Sequence, residues 1–326
     1  MGRTELDAHV VDRVLLTDHE GKSGAPLERI LLDDGTRVVV KRFSAQTDLV
    51  MSLTGDTVGR EYQLWRSGLL DDLPAGIGHA VLDGWTGPDG TVLVMRDLGD
   101  AVLTWQRRLT REQCRWVFAR LARMYTAFAG RTVPCLTPLP VLLGLFAPRG
   151  LAPHAADDNP LAGIALRGWE IFAELVPEDV AEPVLSLLED PTPLAAALVS
   201  RPCTIVHGDL ATVNMAFEED RLTLLDWSMP ASAPAALDLG RFLAGCASVV
   251  DATREELIDD FTEALGDSRD DPSLRLALLS SLVWLGWNKA LDAAEHPDPV
   301  TRARERDDLD WWVGQSRTTL ETTPIG

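Results

Sequence analysis

Over the first hundred residues the apolar positions alternate with polar ones or run in short β-branched blocks, and each block ends in a turn signal. "HVVDRVLLTD" and "PLERILLDDGTRVVVKRF" carry this pattern, which predicts three strands. The "DDG" at Asp33 to Gly35 marks a hairpin between the second and third. The period then lengthens. In "DTVGREYQLWRSGLL" the residues Val58, Tyr62, Trp65 and Leu69 recur at helical spacing behind Asp56 as N-cap. Two further strands, around "IGHAVLDGWT" and "TVLVMRDL", flank the turn "GPDG".

From about Asp100 the pattern is helical, opening with "TREQCRWVFARLARMYTAFAG", where Thr110 and Gln113 stand at capping-box spacing. The Pro/Gly/Ala-rich stretch from Leu136 to Asn159 reads as loop. Helices are predicted at 160–176, 179–189 and 193–200. A short β interlude follows ("CTIV", "NMAFEE", "RLTLLDW"), and two long helices at about 273–294 and 299–320 come last. The order predicts an α+β chain with a β-rich lobe over 1–95, a connection at 96–99 and a larger, mainly helical lobe over 100–326.

Composition narrows the class of partner. A chain of 326 residues, 46% hydrophobic, is long enough for two lobes. Fifty acidic against thirty basic residues give a net charge of −20, which argues against nucleic acid or an anionic membrane and suits a cationic or neutral small molecule. A solubilising acidic surface gives the same number. Cys114, Cys135, Cys203 and Cys246 are widely spaced, without zinc spacing, and read as reduced packing residues. "MGRTELDAHV" lacks a signal-peptide pattern and "LALLSSLVWLGW" is too short to span a bilayer, so the expected location is cytoplasmic. Oligomeric state is not readable.

The candidate chemistry lies in "TIVHGDLATVN", Thr204 to Asn214. An aspartate on a loop after a strand, Asp209, can accept a proton from a hydroxyl attacking phosphorus. Asn214, five residues on, can reach a phosphate-bound metal, and Asp226 at the end of "RLTLLD" is placed as a second metal ligand.

With "HGDLATVN", "LLDW" and the later Asp238 in "APAALDLGRFLAG", the sequence resembles the aminoglycoside phosphotransferase and choline kinase family. The resemblance implies a protein-kinase-like bilobal fold, ATP and Mg²⁺ as cofactors, and transfer of the γ-phosphate to a hydroxyl of an aminoglycoside, amino sugar or amino alcohol, in resistance or natural-product metabolism. It makes residues 1–95 the nucleotide-binding lobe and 96–99 the hinge. It implies that Lys41, on the same strand face as Val39, meets the phosphates, and that Glu61 holds it. Met95 and Asp97 would meet adenine through their backbone. The loop with Gly21, Lys22, Ser23 and Gly24 would cover the phosphates. "GKS" there is not a Walker A motif, because Leu16 stands where that motif needs glycine. His207 and Asp238 are expected to support the catalytic loop.

The acceptor site is the open part. Trp284, Trp287 and Asn288 in "VWLGWNKALD" and Asp307, Asp308 and Asp310 in "RERDDLDWW" are its candidates. The alternative is that the tryptophans pack the last helices together and the acids form a solvated face. A Ser/Thr-bearing peptide is the second acceptor class; sugar and amino-acid kinases share the loop; a non-catalytic nucleotide-binding scaffold is the third reading, although the base, metal ligands and strand lysine are all kept.

Overall fold

In the computed structural model, which describes Leu6 and residues 9–17, 24–157 and 159–325, the alternating N-terminal segments become strands β1 (Val10–Leu16), β2 (Leu27–Leu32), β3 (Arg37–Phe43), β4 (Ile77–His79), β5 (Val81–Gly87) and β6 (Gly90–Arg96). All but β4 form one antiparallel sheet in the order β1-β2-β3-β6-β5. Strand alternation divides its residues between two faces. Val38 and Val40 pack with Ile30, Leu32, Val92 and Val94 on one face; Phe43 packs with Leu93, Met51 and Val81 on the other. Lys41 and Val39 share the second face, and Arg42 points the opposite way, 3.3 Å from Glu28.

Two predicted elements differ in detail. "IGHAVLDGWT" is not one strand: it breaks at Ala80, and β4 leaves the sheet to pair in parallel with Arg221–Leu224 of the later β interlude. Gly78 permits this, since a Cβ there would lie 2.9 Å from the Arg221 side chain. The helix behind Asp56 begins only at Arg60. The Asp56 carboxylate still accepts from the backbone N–H groups of Val58, Gly59 and Arg60, so the cap is made one turn early. A second short helix, Leu49–Thr54, precedes it.

The stretch read as loop, 136–159, holds helices Leu139–Leu143 and Pro148–Ala156. Prolines at their first turns are compatible with helix, because the N–H they lack has no intrahelical acceptor there. Helices Arg111–Phe128, Pro160–Leu175, Glu178–Glu189, Thr192–Val199, Pro272–Glu295 and Pro299–Thr322 fall close to expectation, and two further helices, Ala236–Cys246 and Arg254–Leu265, stand between the β interlude and the last pair. Helix 272–295 is apolar around much of its circumference because 160–175, 236–246 and 299–322 all pack on it. Phe118, Phe242 and Phe261 meet edge-to-face in the core of this lobe.

The predicted β interlude is present as Thr204–Val206, Met215–Glu218 and Arg221–Leu224, with Ala231–Ala233 pairing back on the first of these. Arg96 at the end of β6 donates to both carboxylate oxygens of Glu218, at 2.7 and 3.1 Å. The junction between sheet and helical lobe is therefore tied by a two-pronged ion pair. Among the described residues no helix is long and apolar enough to cross a membrane. The four cysteines are free, three of them buried, as packing residues should be.

Candidate active site

Strand β3 carries Lys41 inward, where its Nζ lies 2.9 Å from Glu61 Oε2 and 2.9 Å from Asp226 Oδ1. Burial opposes a charged ammonium, but the carboxylates of Asp226 and Glu61 outweigh it and hold Lys41 well above its ordinary range. Burial likewise works against the Asp226 carboxylate, and Lys41 reverses that effect and keeps it below the usual range. Glu61, 2% exposed on the 60–66 helix, also accepts from the Trp227 backbone N–H at 3.4 Å. Sheet, helix and the segment after the strand 221–224 thus meet at one ammonium.

Asp226 has φ of 56°, the only positive value at a non-glycine position among the described residues. Such a backbone costs ~1–3 kcal/mol and is kept where surrounding structure imposes it.

The loop that carries Asp209 is held from below. Asp238, fully buried in the first turn of helix 236–246, accepts from the backbone N–H groups of His207 (2.8 Å) and Gly208 (2.9 Å) and from the Tyr125 hydroxyl (2.9 Å). Burial raises the Asp238 carboxyl above its ordinary value despite those donors. Gly208 has φ of 83°, and a Cβ there would stand 1.7 Å from the Met229 carbonyl oxygen; only glycine fits. His207 Nε2 lies 2.9 Å from the Leu225 carbonyl, which can only accept, so Nε2 carries the proton. Nδ1 then accepts from the Asp209 N–H at 3.3 Å. With both ring nitrogens engaged by backbone, His207 is built as a strut.

Asn214 Nδ2 donates to the Asp209 carbonyl (2.9 Å) and to Asp209 Oδ2 (3.0 Å). Its amide oxygen and the Asp226 carboxylate, which Lys41 and Ser228 also engage, are the oxygen donors on offer to a cation. Two oxygen donors, with no group of three His, Cys, Asp or Glu among the described residues, fit a hard divalent ion that takes its other ligands from phosphates and water.

A cleft of ≈ 780 Å³ runs between the sheet and the helical lobe, lined among others by Val39, Lys41, Met95, Asp97, Asn214 and Asp226. The Asp97 side chain is occupied by Arg29 (2.8 Å) and the Gly99 N–H (3.1 Å). Ser23, with Gly21 and Lys22, lies outside the described residues.

The acceptor candidates separate. Asp308 is buried between Arg254 and Lys289, the latter at 2.6 Å, and its carboxylate serves an ion pair. Asp307 and Asp310 are exposed on helix 299–322. Trp287 packs on Phe146 at 5.3 Å, and Asn288 donates to Asp292 at 3.2 Å. Trp284 alone of these is placed against a partner of the Asp209 loop: the Arg241 guanidinium lies 5.4 Å from its ring centroid. Arg241 itself was not legible as a site residue, yet its Nε donates to Asp209 Oδ1 at 2.7 Å. The available signal was its position three residues after Asp238, which puts both on one helix face.

The sequence pattern of the phosphotransferase enzyme family, APH, matches residues 74–277, more than half of the chain. No curated protein matches it significantly. Among solved structures it is similar to the aminoglycoside phosphotransferase APH(3'')-Id from Streptomyces rimosus (17% identity, 86% of this chain and 96% of that one, TM-score 0.54). It is also similar to the choline kinase LicA from Streptococcus pneumoniae (14%, 96% and 97%, 0.54). A third similar structure is the spectinomycin phosphotransferase APH(9)-Ia in complex with ADP and spectinomycin (13%, 98% and 97%, 0.50). With the antiparallel sheet, the helical lobe and the family pattern in one chain, this protein belongs to the phosphotransferase enzyme family and has its protein-kinase-like fold.

Proposed function

We propose that the protein transfers the γ-phosphoryl group of ATP to a hydroxyl of a small molecule of amino-sugar or amino-alcohol type, with Mg²⁺ as the divalent ion. The observation that carries this reading is the Lys41 ammonium, 2.9 Å from both Glu61 and Asp226, in a cleft that also presents Asn214. That arrangement presents one fixed cation and two oxygen donors to a polyphosphate. ADP bound to similar structures supports the choice of nucleotide. Spectinomycin and streptomycin bound to them support a small acceptor.

Adenine would lie against Val39 and Met95 and bond the backbone of Met95 and Asp97, where lobe 1–95 runs into the proposed hinge at 96–99 before lobe 100–326. Lys41, held by Glu61, would neutralise the α- and β-phosphates. Asn214 and Asp226 would hold Mg²⁺, which when bound spreads the charge developing on the transferred group. Asp209 would receive the acceptor's hydroxyl proton, and His207 and Asp238 would keep its loop in place.

The test is a calorimetric titration with ATP in Mg²⁺ and in chelator. Binding that strengthens with Mg²⁺, with Asp226→Asn folded but deaf to the metal, is the expected result. Absence of ATP binding by the folded wild-type protein in either condition would refute the nucleotide assignment.

A further inference from the structure

We propose that Arg241 is a positioning residue for Asp209, holding its carboxylate so that Oδ2 alone faces the acceptor hydroxyl; this rests on the reading of Asp209 as the proton acceptor. Arg241 Nε donates to Oδ1 at 2.7 Å, and Nη2 of the same guanidinium edge lies 2.7 Å from that oxygen as an ion-pair contact. Oδ1 is thereby turned to the guanidinium. Oδ2 accepts one bond, from Asn214 at 3.0 Å, and keeps one lone-pair direction open.

The surroundings of Arg241 are shaped to hold its guanidinium. Its side chain is 12% exposed, that of Asp209 19%. The ring of Trp284 lies 5.4 Å from the guanidinium carbon. One turn on, Gly245 leaves the space open: a Cβ there would stand 2.3 Å from Arg241 Nη1. Helix 236–246 is already fastened to the loop by Asp238 through His207, Gly208 and Tyr125. The Arg241–Asp209 pair is therefore surplus to anchoring, and a largely buried ion pair is a weak source of stability. Its contribution is geometric and electrostatic, because the guanidinium also offsets the carboxylate charge that an approaching phosphoryl group would meet.

In the reaction the acceptor oxygen bonds to the γ-phosphorus while the bond from that phosphorus to the β,γ-bridging oxygen breaks. ADP leaves with the electron pair, and the hydroxyl proton passes to Asp209 Oδ2.

The test compares wild type, Arg241→Ala, Arg241→Lys, Gly245→Ala and Asp209→Asn by ADP titration and by the rate of phosphoryl transfer from ATP to water and to a panel of alcohols. Arg241→Ala should keep nucleotide affinity and KM for ATP while kcat falls about 100-fold, the cost typical of a displaced catalytic group. Arg241→Lys, which keeps the charge and loses the planar guanidinium edge, should be intermediate. Gly245→Ala should fall in the same direction, and millimolar guanidinium ion should partly rescue Arg241→Ala but not Asp209→Asn. A folded Arg241→Ala or Arg241→Lys with wild-type kcat, while Asp209→Asn is inactive, would overturn the proposal alone. Wild-type turnover no higher than that of Asp209→Asn would instead overturn the phosphotransferase reading on which it rests.

Discussion

Gly208 and Asp226 both have left-handed backbones, for opposite reasons. At Gly208 the Met229 carbonyl occupies the place of a side chain, so glycine is obligatory. Asp226 accepts the same region of backbone space while carrying the carboxylate that Lys41 bonds. We expect Gly208→Ala to lower the melting temperature and abolish nucleotide-dependent turnover, since no flexible neighbour can yield to the new methyl. A melting curve within error of wild type would contradict the close approach. At this scale Asp209, Asn214 and Asp226 were read from loop and strand spacing, and Lys41 and Glu61 from the family resemblance; the structure brings Lys41, Glu61 and Asp226 together and sets Asn214 beside Asp209. Arg241 was not, because an arginine on a helix ordinarily reads as a solvated charge and its carboxylate partner is 32 residues away. Within the acidic cluster the solvated-face reading holds for Asp307 and Asp310 and fails for Asp308, which is buried. Asp308 looks like its exposed neighbours in sequence, and only the packing of helices 254–265, 272–295 and 299–322 reveals Arg254 and Lys289 around it.

At the scale of elements, the 60–66 helix is short, seven residues, and its position depends on what it touches. Isolated helices of this length are unstable. It is fixed by the Asp56 cap, by Leu64 in the core and by Glu61, which joins Lys41 to the Trp227 N–H. Glu61→Ala leaves Lys41 with Asp226 alone. We expect it to destabilise the fold by about 1–3 kcal/mol, the usual effect of removing a partner from a buried polar group, and to raise KM for ATP more than it lowers kcat. Denaturant titration and steady-state kinetics would check both parts; unchanged KM would separate Glu61 from the nucleotide site. The helices at 139–143 and 148–156 were not legible because proline and glycine density signals loop, and the rule that admits proline to a first turn needs the helix boundaries first. The break at Ala80 was hidden for a related reason: both halves have strand composition, and only the partner 221–224 distinguishes them.

Across the whole molecule the sheet and the helical lobe meet at Arg96–Glu218. Arg96 holds the Glu218 carboxyl down at about 2 against an ordinary value of 4.5, with Thr223 adding a hydrogen bond and burial opposing both. A depressed carboxyl stabilises the folded state above its unfolded value. The contribution is complete above about pH 4.5 and is lost as pH falls toward about 2. Glu218→Gln should therefore be less stable than wild type at neutral pH, and the difference should shrink over that window in acid-unfolding curves. A constant difference across it would remove Glu218 from the clamp. The lobe order was readable from the change of hydrophobic period near residue 100. The clamp was not, since its two residues are 122 positions apart.

The central claim is that the cleft between these lobes takes ATP and that its γ-phosphoryl group passes to an alcohol through Asp209. The most direct measurement is ATP consumption with Mg²⁺ against pooled aminoglycosides, amino sugars, choline, other small alcohols and hydroxyl-bearing peptides, with Asp209→Asn alongside. The account predicts turnover in a small-molecule pool that Asp209→Asn lacks although it still binds ATP. Turnover equal in wild type and Asp209→Asn would contradict it.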